Sequence, residues 1–488
     1  MSRESAGKAA ASLHASGRDM SYAAVMARRA EIMKKALGVE YDEFETGGIA
    51  FDYEAMMTKA AYPFEEVRKI QKDVGVGDTP LLELKNITEL VRMTSKPGYG
   101  ARILVKDEAS NPSGSFKDRR SSISTYQAKK AGYPGVLAAT SGNYGAAVAS
   151  QAAMRNLGCI IVQEVFDSRQ VGQPEIIEKS RKCEAYGAEV IQLTVGPELF
   201  YVALRLLEET GYFNASLYSS FGIAGIETLG WELVRDVRER YGKDPAYVVV
   251  THAGGGNVTG TARGVRRAGA MGTKVIGASV DLSGLHMASD HDFNRKSFTT
   301  GHTGFGVPFA TWPDRTDVPR NAARPLRYLD RYVTVTQGEV FYVTEALSSV
   351  EGLERGPAGN TSLAAAIPLA RELPRDEIVV VQETEYTGAG KHPQAQLDFA
   401  RRNGVEVRRG DPKENVPGKA IVIPERFDQL HVTEVDLARM RRSYIRNAVE
   451  KNNLREAGPE EVKFLAEDSS QTEADTARIL EELGVRVR

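Results

Sequence analysis

Short runs of β-branched and other apolar residues alternate with helical stretches along most of this chain, and this alternation constrains the fold more than any other feature. Eight such runs occur, at 101–107, 135–140, 159–165, 189–195, 246–252, 274–280, 332–337 and 377–384. Strands that are apolar on both sides and separated by helices are typical of parallel sheets covered by helices. The alternation predicts an α/β protein with enough strands for two mostly parallel sheets flanked by helices.

The length of the chain, 488 residues, is enough for two large lobes with extensions. The seam between the lobes is predicted near residue 225, where GIAGIETLGWELVRDV forms a long helix. The predicted parts are a disordered leader at 1–20, a helical N-terminal extension at 21–75, a larger lobe at 76–105 and 225–435, a smaller lobe at 106–224, and a helical C-terminal tail at 436–488.

Two helices can be placed more closely in the extension and the tail. Residues 22–38 repeat apolar residues at helical spacing and stop at a glycine, which predicts one amphipathic helix. Near the carboxyl end, Thr472 is followed by acidic residues and later by Gly484. This order predicts a last helix that begins after a threonine N-cap and ends at the glycine.

Charge and cysteine content exclude several classes of protein. Lysine and arginine number 63 and aspartate and glutamate 65, a formal net charge of −2, which disfavours nucleic acid or an anionic membrane as the main partner. Only Cys159 and Cys183 occur, so a disulfide framework is excluded and a reducing compartment is favoured. No Cys/His spacing indicates a metal site, and the amino terminus lacks a secretion signal. We expect a cytoplasmic protein without metal.

A lysine stands at the start of a predicted helix in the segment KDEASNPSGSFKDRR. The positive end of a helix dipole disfavours an ammonium group, so the pKa of Lys117 is predicted to be lowered. A lysine with a lowered pKa is what Schiff-base chemistry requires. Taken alone, Lys117 is more often a solvated surface residue. The alternative interpretation places four neighbouring charged residues on an exposed face: Lys106, Asp118, Arg119 and Arg120.

The segment ATSGNYGAAVAS follows the predicted strand 135–140 and leads directly into a helix. Thr140, Ser141 and Asn143 supply hydroxyl and amide donors, and Gly142 lets backbone amides approach a ligand. This arrangement is suited to binding a substrate carboxylate. An ordinary capped turn between a strand and a helix is the alternative interpretation.

Three consecutive glycines follow another predicted strand in the segment THAGGGNVTGTARG. Gly254, Gly255 and Gly256, followed by Asn257 and a helix, form a nest of backbone amides that suits a phosphate. A Walker motif is absent, and Thr259 occupies the third glycine position of the dinucleotide fingerprint. A phosphate monoester on a small cofactor therefore fits better than a nucleotide.

These three segments jointly favour pyridoxal phosphate acting on an amino acid, since a Schiff-base lysine, a carboxylate site and a phosphate nest occur in one chain. A fourth segment, VVVQETEYTGAGKHP, ends the last predicted core strand. A hydroxyl of Thr384 or Thr387 there is positioned to bond the pyridine nitrogen without protonating it.

The order of NPSGSFKDR, TSGNYG, GGGNVTG and TGAGK resembles the fold type II pyridoxal-phosphate enzymes, the class of tryptophan synthase β and threonine synthase. The resemblance covers about residues 75–395. It implies the following cofactor-binding residues: Lys117 as the Schiff-base lysine, Phe116 beside it, Asn143 at the phenolic oxygen, Gly254, Gly255, Gly256 and Asn257 at the phosphate, and Thr387, with Thr384 as alternate, at the pyridine nitrogen.

A closer resemblance, over roughly residues 20–450, is to the β subunits of 2-amino-4-oxopentanoate thiolases of ornithine degradation. YAAVMARRAEIMKKALGVEYDEFE, DLSGLHMASDHDFNRKSFTTGHTGFGVPFATWPDR and ERGPAGNTSLAAA carry it; the tail beyond Asn452 is expected to fall outside it. The resemblance implies cleavage of the substrate by coenzyme A to acetyl-CoA and alanine, a small α subunit as partner, and dimerisation of the β subunit. The alternatives are a β-replacement or elimination enzyme of the threonine or cysteate synthase kind, and a non-catalytic cofactor-binding regulatory subunit.

Overall fold

All eight predicted strands are present in the computed structural model, which describes residues 18–140, 142–283, 298, 318–386 and 393–488. In chain order the strands are β1 (Leu81–Glu83), β2 (Arg102–Asp107), β3 (Gly135–Thr140), β4 (Gly158–Phe166), β5 (Glu189–Thr194), β6 (Phe213–Asn214), β7 (Tyr247–Thr251), β8 (Lys274–Val280), β9 (Arg331–Val335), β10 (Ile378–Glu383), β11 (Glu406–Gly410), β12 (Ala420–Pro424), β13 (Thr433–Glu434), β14 (Glu456–Ala457) and β15 (Arg486–Val487).

The α-helices of the described residues alternate with these strands through the middle of the chain. They are α1 (Tyr22–Ala27), α2 (Arg29–Leu37), α3 (Tyr53–Lys59), α4 (Phe64–Lys72), α5 (Lys85–Met93), α6 (Asp118–Lys130), α7 (Asn143–Met154), α8 (Pro174–Ala185), α9 (Glu198–Thr210), α10 (Ser220–Tyr241), α11 (Gly256–Arg267), α12 (Gln337–Glu351), α13 (Pro357–Arg371), α14 (Pro393–Arg402), α15 (Leu437–Lys451), α16 (Pro459–Ser469) and α17 (Glu473–Glu482).

The larger sheet has seven strands in the order β1-β2-β10-β7-β8-β9-β13. Its five inner strands are parallel, and the short edge strands β1 and β13 are antiparallel to their neighbours. The ends of β2 and β10 lie side by side, because Glu383 pairs with Asp107. The segments that follow β2, β10 and β7 therefore begin at one edge of the sheet, where open α/β sheets bind ligands.

The smaller sheet has four parallel strands in the order β5-β4-β3-β6. Its strands come from residues 135–214, which all fall within the predicted smaller lobe. The strand β3 lies inside this sheet and ends at Thr140, and α7 begins three residues later. The predicted mostly parallel α/β architecture is confirmed by these two sheets.

The long helix α10 packs closely against both α6 and α11. A Cβ atom added at Gly225 would lie 1.9 Å from the carbonyl oxygen of Arg119 in α6, and one at Gly264 in α11 would lie 2.1 Å from the carbonyl oxygen of Glu227. Glycine is required at both positions because the backbones approach so closely. α10 thereby holds the helix that follows Lys117 and the helix that follows the glycine loop.

Several finer expectations can be compared with the structure. The single helix predicted at 22–38 is wrong: it is interrupted at Arg28, and its second part ends at Gly38 in the left-handed conformation, with φ of 66°. The predicted cap at Thr472 is confirmed, since its side chain accepts a hydrogen bond from the amide of Asp475. The seam predicted near residue 225 falls inside α10, and the division into lobes stays a prediction.

The predicted C-terminal tail is helical and packed. Buried residues of α15 and α16, among them Met440, Tyr444 and Leu465, belong to the same hydrophobic cluster as Ile32 and Leu37 of the N-terminal extension. None of the helices in the described ranges has the length and apolarity needed to cross a bilayer. Within these ranges there is also no group of three or more histidine, cysteine or acidic side chains arranged to hold a metal ion.

Candidate active site

Lys117 stands directly before the first turn of α6 and is surrounded by protein, although part of its side chain remains accessible to solvent. Its Nζ lies 4.6 Å from the centre of the Phe116 ring and makes no hydrogen bond or ion pair with a described residue. Burial lowers the pKa of Lys117 well below its usual value, and the charges of Arg120 and Lys179 lower it further, whereas Glu385 raises it. The direction is the predicted one, but burial rather than the helix dipole is the main cause.

The interpretation of the flanking charged residues as an exposed face is wrong. Lys106, Asp118, Arg119 and Arg120 are each at most 1% exposed. Arg119 is neutralised by ion pairs of 2.7 Å to both Glu108 and Glu232, and Lys106 by Asp236. Arg120, in contrast, has no carboxylate partner among the described residues. A buried guanidinium without an anion is costly, and this one therefore indicates a binding site for an anion.

Arg120 points at the glycine loop that follows β7. Its Nη2 lies 2.5 Å from the position that a Cβ of Gly256 would occupy, and its Nη1 donates a 3.0 Å hydrogen bond to the carbonyl oxygen of Leu217. Its Nε is buried and has no hydrogen-bond partner in the described structure. Burial lowers the pKa of Arg120 to about 10, so the side chain is still charged at neutral pH.

The glycine loop has the geometry that its sequence predicts. Gly255 adopts the left-handed conformation, with φ of 83°, and α11 begins at the next residue. A Cβ at Gly254 would lie 2.0 Å from the hydroxyl oxygen of Tyr218, so this hydroxyl also faces the loop. The side chain of Asn257 donates from Nδ2 to the carbonyl oxygen of Thr251 at 3.3 Å, which closes the loop onto β7. Helix-terminal amides and the Arg120 cation together form a site suited to phosphate.

The predicted carboxylate site lies between β3 and α7. Thr140 is buried at the end of β3, and its Oγ1 accepts a hydrogen bond of 3.2 Å from the amide of Gly142. No acceptor for the proton of this hydroxyl is found among the described residues. Ser141 lies outside the described residues. Asn143 is the first residue of α7, and its Nδ2 donates to Oε2 of Glu385 at 2.6 Å.

The loop before Lys117 is joined by backbone hydrogen bonds to the segment that follows β10. The amide of Phe116 donates to the carbonyl oxygen of Thr384 at 3.0 Å, and the amide of Tyr386 donates to the carbonyl oxygen of Gly114 at 2.7 Å. Thr384 is buried next to the lysine segment. Thr387, the preferred candidate for the pyridine nitrogen, lies outside the described residues.

The structure therefore joins the predicted segments through contacts between side chains and backbone. Lys117 and Thr384 are linked through Phe116, and Arg120 connects α6 to the glycine loop. Sequence reasoning missed Arg120 and Glu385. Arg120 is three residues after Lys117, on the same side of α6, and this spacing was the available signal. No such signal existed for Glu385, because its partner Asn143 is 242 residues away in the sequence.

Comparison with known proteins finds a family profile and two relatives that match most of this chain. The profile of a family described as "Pyridoxal-phosphate dependent enzyme" matches residues 72–384. A 2-amino-4-ketopentanoate thiolase beta subunit from an unknown prokaryotic organism is 77% identical over 471 residues, which cover 96% of this chain and 100% of the relative. A protein of the same name from Acetoanaerobium sticklandii is 63% identical and covers 95% of this chain and 99% of its own length.

More distant relatives share the core of the chain. A probable cysteine synthase from Bacillus subtilis is 26% identical over 318 residues, 62% of this chain and 90% of the relative. A crystal structure of a mutant O-ureido-L-serine synthase with bound O-ureido-L-serine has a TM-score of 0.52 at 20% identity, over 67% of this chain and 93% of that one. The expectation that the tail beyond Asn452 falls outside the thiolase pattern is wrong, because a match of 471 residues leaves too few unmatched to exclude the tail.

Proposed function

The chain belongs to the pyridoxal-phosphate dependent enzymes and, among them, to the family of 2-amino-4-ketopentanoate thiolase β subunits. We propose that it cleaves 2-amino-4-ketopentanoate, which is also called 2-amino-4-oxopentanoate, with coenzyme A. The single observation that carries the proposal is the 77% identity that extends over nearly the whole of both chains. Lys117, which has a lowered pKa and no hydrogen-bond or ion-pair partner among the described residues, supports a catalytic rather than a regulatory subunit.

The proposed reaction breaks the bond between C3 and C4 of the substrate. The C4 carbonyl carbon forms a bond to the sulfur of coenzyme A and leaves as acetyl-CoA. Coenzyme A loses its thiol proton, and C3 gains one proton in a new C–H bond. The remaining carbon skeleton, C1 to C3, is alanine. When bound, pyridoxal phosphate supplies an electron sink for the negative charge that develops on substrate carbon atoms.

The described residues fit this cofactor. Lys117 provides an amine that has no hydrogen-bond or ion-pair partner among the described residues, directly before α6, and Arg120 provides a buried cation whose Nε has no described partner next to the glycine loop. We assign the phosphate to Arg120 and the loop Gly254–Asn257, and the covalent attachment to Lys117. Phe116 borders the lysine Nζ. Thr387, with Thr384 as the alternate, is proposed for the pyridine nitrogen.

The chain's own groups then act on the substrate as follows. Lys117 Nζ accepts and returns the proton at the substrate Cα, because its lowered pKa favours the neutral amine, the form that acts as a base. Thr140 and the backbone of Gly142, with Ser141, orient the substrate carboxylate. Asn143 donates from its amide to the phenolic oxygen of the cofactor, and Glu385 accepts its other amide hydrogen.

The partners in this proposal follow from the β-subunit family. We expect a small α subunit, a second copy of this chain, the amino-acid substrate and coenzyme A as the molecules it binds. A cytoplasmic location is part of the proposal and is supported by Cys159 and Cys183, which are both unpaired and buried, because free thiols suit a reducing compartment.

The proposal is tested by measuring acetyl-CoA from 2-amino-4-oxopentanoate and coenzyme A, with and without the co-expressed α subunit. Lys117→Ala is expected to reduce turnover at least 10³-fold, about 4 kcal/mol of barrier, because attachment and proton transfer are both lost. Lys129→Ala, at an exposed site on the same helix, is the matched control and should keep wild-type activity.

A borohydride trap separates this function from its competitors. Reduction of the cofactor-loaded protein is expected to label the peptide that contains Lys117. A labelled protein that forms no acetyl-CoA even with the α subunit, but exchanges a β substituent, would contradict the thiolase proposal and favour a β-replacement enzyme. A protein that carries no label on Lys117 would contradict both.

A further inference from the structure

Glu385, two residues after the end of β10, is an acidic side chain that faces the lysine site. It is 1% exposed, and its Oε2 accepts the 2.6 Å hydrogen bond from Asn143. Its Oε1 is buried and has no hydrogen-bond partner among the described residues. Leaving a buried carboxylate oxygen unpaired is costly, so this oxygen is available to a bound molecule.

The backbone around Glu385 is fixed from two sides. Its carbonyl oxygen accepts a 3.2 Å hydrogen bond from the amide of Gly356, and it forms a β-bridge with Ser115, two residues before Lys117. A Cβ at Gly356 would lie 2.2 Å from Oε1, so the carboxylate packs against the N-terminal end of α13. A helix N-terminus stabilises a negative charge, and the bridge ties this charge to the lysine loop.

The charge of Glu385 acts on several groups of the site. It opposes the lowering of the pKa that burial causes in Lys117 and Lys182, and together with Glu175 it raises the pKa of Lys179. Arg120 and Lys179 act on Lys117 in the opposite direction. Glu385 therefore supplies negative charge to the surroundings of Lys117, where positive groups and burial otherwise oppose a proton on its nitrogen.

We propose that Glu385 is a positioning residue of the cofactor site, which holds the Asn143 amide in one orientation and keeps a proton on the Lys117 nitrogen when that nitrogen is joined to the cofactor. With one amide hydrogen on Glu385, the other hydrogen of Asn143 Nδ2 is directed to the phenolic oxygen. This inference rests on the cofactor assigned in the proposed function and is independent of the thiolase substrate.

A proton at this nitrogen has a chemical purpose. A positive charge there makes the carbon joined to it more reactive toward the incoming amine of the substrate, so exchange of lysine for substrate becomes faster. The surroundings of Lys117 require a source of negative charge for this, because the nearby Arg120 and the buried Lys179 both repel the proton. The residue acts through charge and through Asn143 and needs no contact with the substrate.

The test is a pH titration of the visible absorbance of the cofactor-loaded protein without substrate. Glu385→Gln keeps the size of the side chain and removes its charge. We expect the midpoint of the protonation change to fall by at least one pH unit, since loss of a nearby negative charge disfavours the protonated form. Glu385→Asp keeps the charge but shortens the reach to Asn143, and its midpoint is expected between those of the other two proteins.

Glu383→Gln is the matched control. Glu383 is also buried, on β10, but burial raises its pKa well above the usual value and neither oxygen has a hydrogen-bond partner in the described part of the chain. Glu383 is not among the charged groups that shift the pKa of Lys117, so its replacement should leave the midpoint unchanged. Apart from Glu383, the ionisable groups whose pKa is shifted by Glu385 are kept in every protein: Lys117 before α6, and Glu175, Lys179 and Lys182 of α8.

Folding is checked by circular dichroism and thermal melting. If Glu385→Gln does not fold, the Glu385→Asp titration decides, and a lowered midpoint supports the proposal. A midpoint within 0.3 units of wild type in each folded Glu385 variant overturns it. Because no substrate is present, a failure to form acetyl-CoA in the thiolase assay leaves this result unaffected, so the two proposals fail separately.

Discussion

Two neighbouring arginines show that the surroundings of a buried cation determine whether its charge is neutralised within the fold or left for a ligand. Arg119 and Arg120 are both buried, yet Arg119 lies between Glu108 and Glu232, while among the described residues Arg120 has a hydrogen bond to the carbonyl oxygen of Leu217 and no carboxylate partner. Ion pairs hold the pKa of Arg119 above its usual value, whereas burial lowers that of Arg120. Arg119 is therefore satisfied within the fold, and Arg120 is left to bind a ligand.

Replacing Arg120 is expected to weaken binding of pyridoxal phosphate. Arg120→Met removes the cation beside the glycine loop, and a charge-assisted hydrogen bond contributes about 1.5–3 kcal/mol, so Kd should rise roughly 10- to 100-fold. Arg120→Lys retains the charge without the planar fork, and its Kd should lie between the two. Both Kd values are measured by absorbance titration of the apoprotein. Equal affinity in wild type and Arg120→Met would remove Arg120 from the phosphate site.

A second residue-scale effect concerns stability rather than activity. Glu164 of β4 is 2% exposed, and burial raises its pKa to about 7, with a 3.4 Å hydrogen bond from the amide of Gly196 opposing the shift. The folded protein therefore binds this proton more tightly than the unfolded chain does. The protonated form of Glu164 therefore contributes to the free energy of unfolding at low pH. This contribution is lost as the pH rises from the pKa of the unfolded chain, about 4.5, to the pKa of the folded protein, about 7.

Glu164→Gln should consequently be more stable than wild type at pH 8, by about 1–3 kcal/mol. The glutamine resembles the protonated acid and can still accept the hydrogen bond from Gly196. The advantage is expected to disappear toward pH 5, where the wild-type side chain is protonated in the fold. Urea unfolding at both pH values measures it. A difference that does not depend on pH would mean that ionisation of Glu164 is not its cause.

At the scale of helices and strands, the sequence predicts those features whose signal lies in neighbouring residues, and it does not predict contacts between distant segments. The strands β2, β3, β7 and β10 each contain at least three consecutive apolar residues, so the sequence predicts their positions to within one or two residues. The break at Arg28 could not be predicted, because apolar spacing on either side of it is that of one helix. The closeness of Arg120 to Gly256 and of Glu385 to Asn143 depends on packing between distant segments, which no local pattern records.

The packing of α10 against α6 offers a test at this scale. Gly225→Ala would place a Cβ 1.9 Å from the carbonyl oxygen of Arg119, so one helix must move. Overpacking of this kind costs about 1–3 kcal/mol, and because α6 follows Lys117 the affinity for the cofactor should also fall. Thermal melting and cofactor titration measure both effects. Gly272→Ala, where a Cβ would meet nothing within 4 Å, is the control, and an equal effect there would contradict the argument.

At the scale of the whole molecule, the C-terminal tail reaches the phosphate loop through buried contacts. Asp468 of α16 accepts hydrogen bonds from Arg324 and, at 2.8 Å, from the hydroxyl of Tyr444. The amide of Arg324 donates to Thr259 Oγ1 of α11 at 2.9 Å. The next residue, Pro325, lies 2.6 Å from the position of a Cβ at Gly255. The tail is thus connected through Arg324 and Pro325 to the loop assigned to the phosphate.

This connection predicts that a substitution in the tail changes cofactor binding. Asp468→Asn leaves the guanidinium of Arg324 buried without its anion, and breaking such a pair costs about 3–5 kcal/mol. We expect a lower melting temperature and, in the protein that is still folded, a several-fold higher Kd for pyridoxal phosphate, because Pro325 no longer holds Gly255 in place. Both are measured on the same preparation, by thermal melting and absorbance titration.

Glu467→Gln is the matched control for this substitution. Glu467 pairs with Arg327 at 2.7 Å but is 45% exposed, and exposed ion pairs contribute about 1 kcal/mol or less. Its replacement should leave both the melting temperature and Kd close to wild type. If Asp468→Asn lowers the melting temperature while Kd stays unchanged, the tail stabilises the chain without positioning the loop. A raised Kd means instead that a residue of the tail helps to position the cofactor site. Asp468 lies more than 80 residues after the 72–384 region that the chain shares with the wider family.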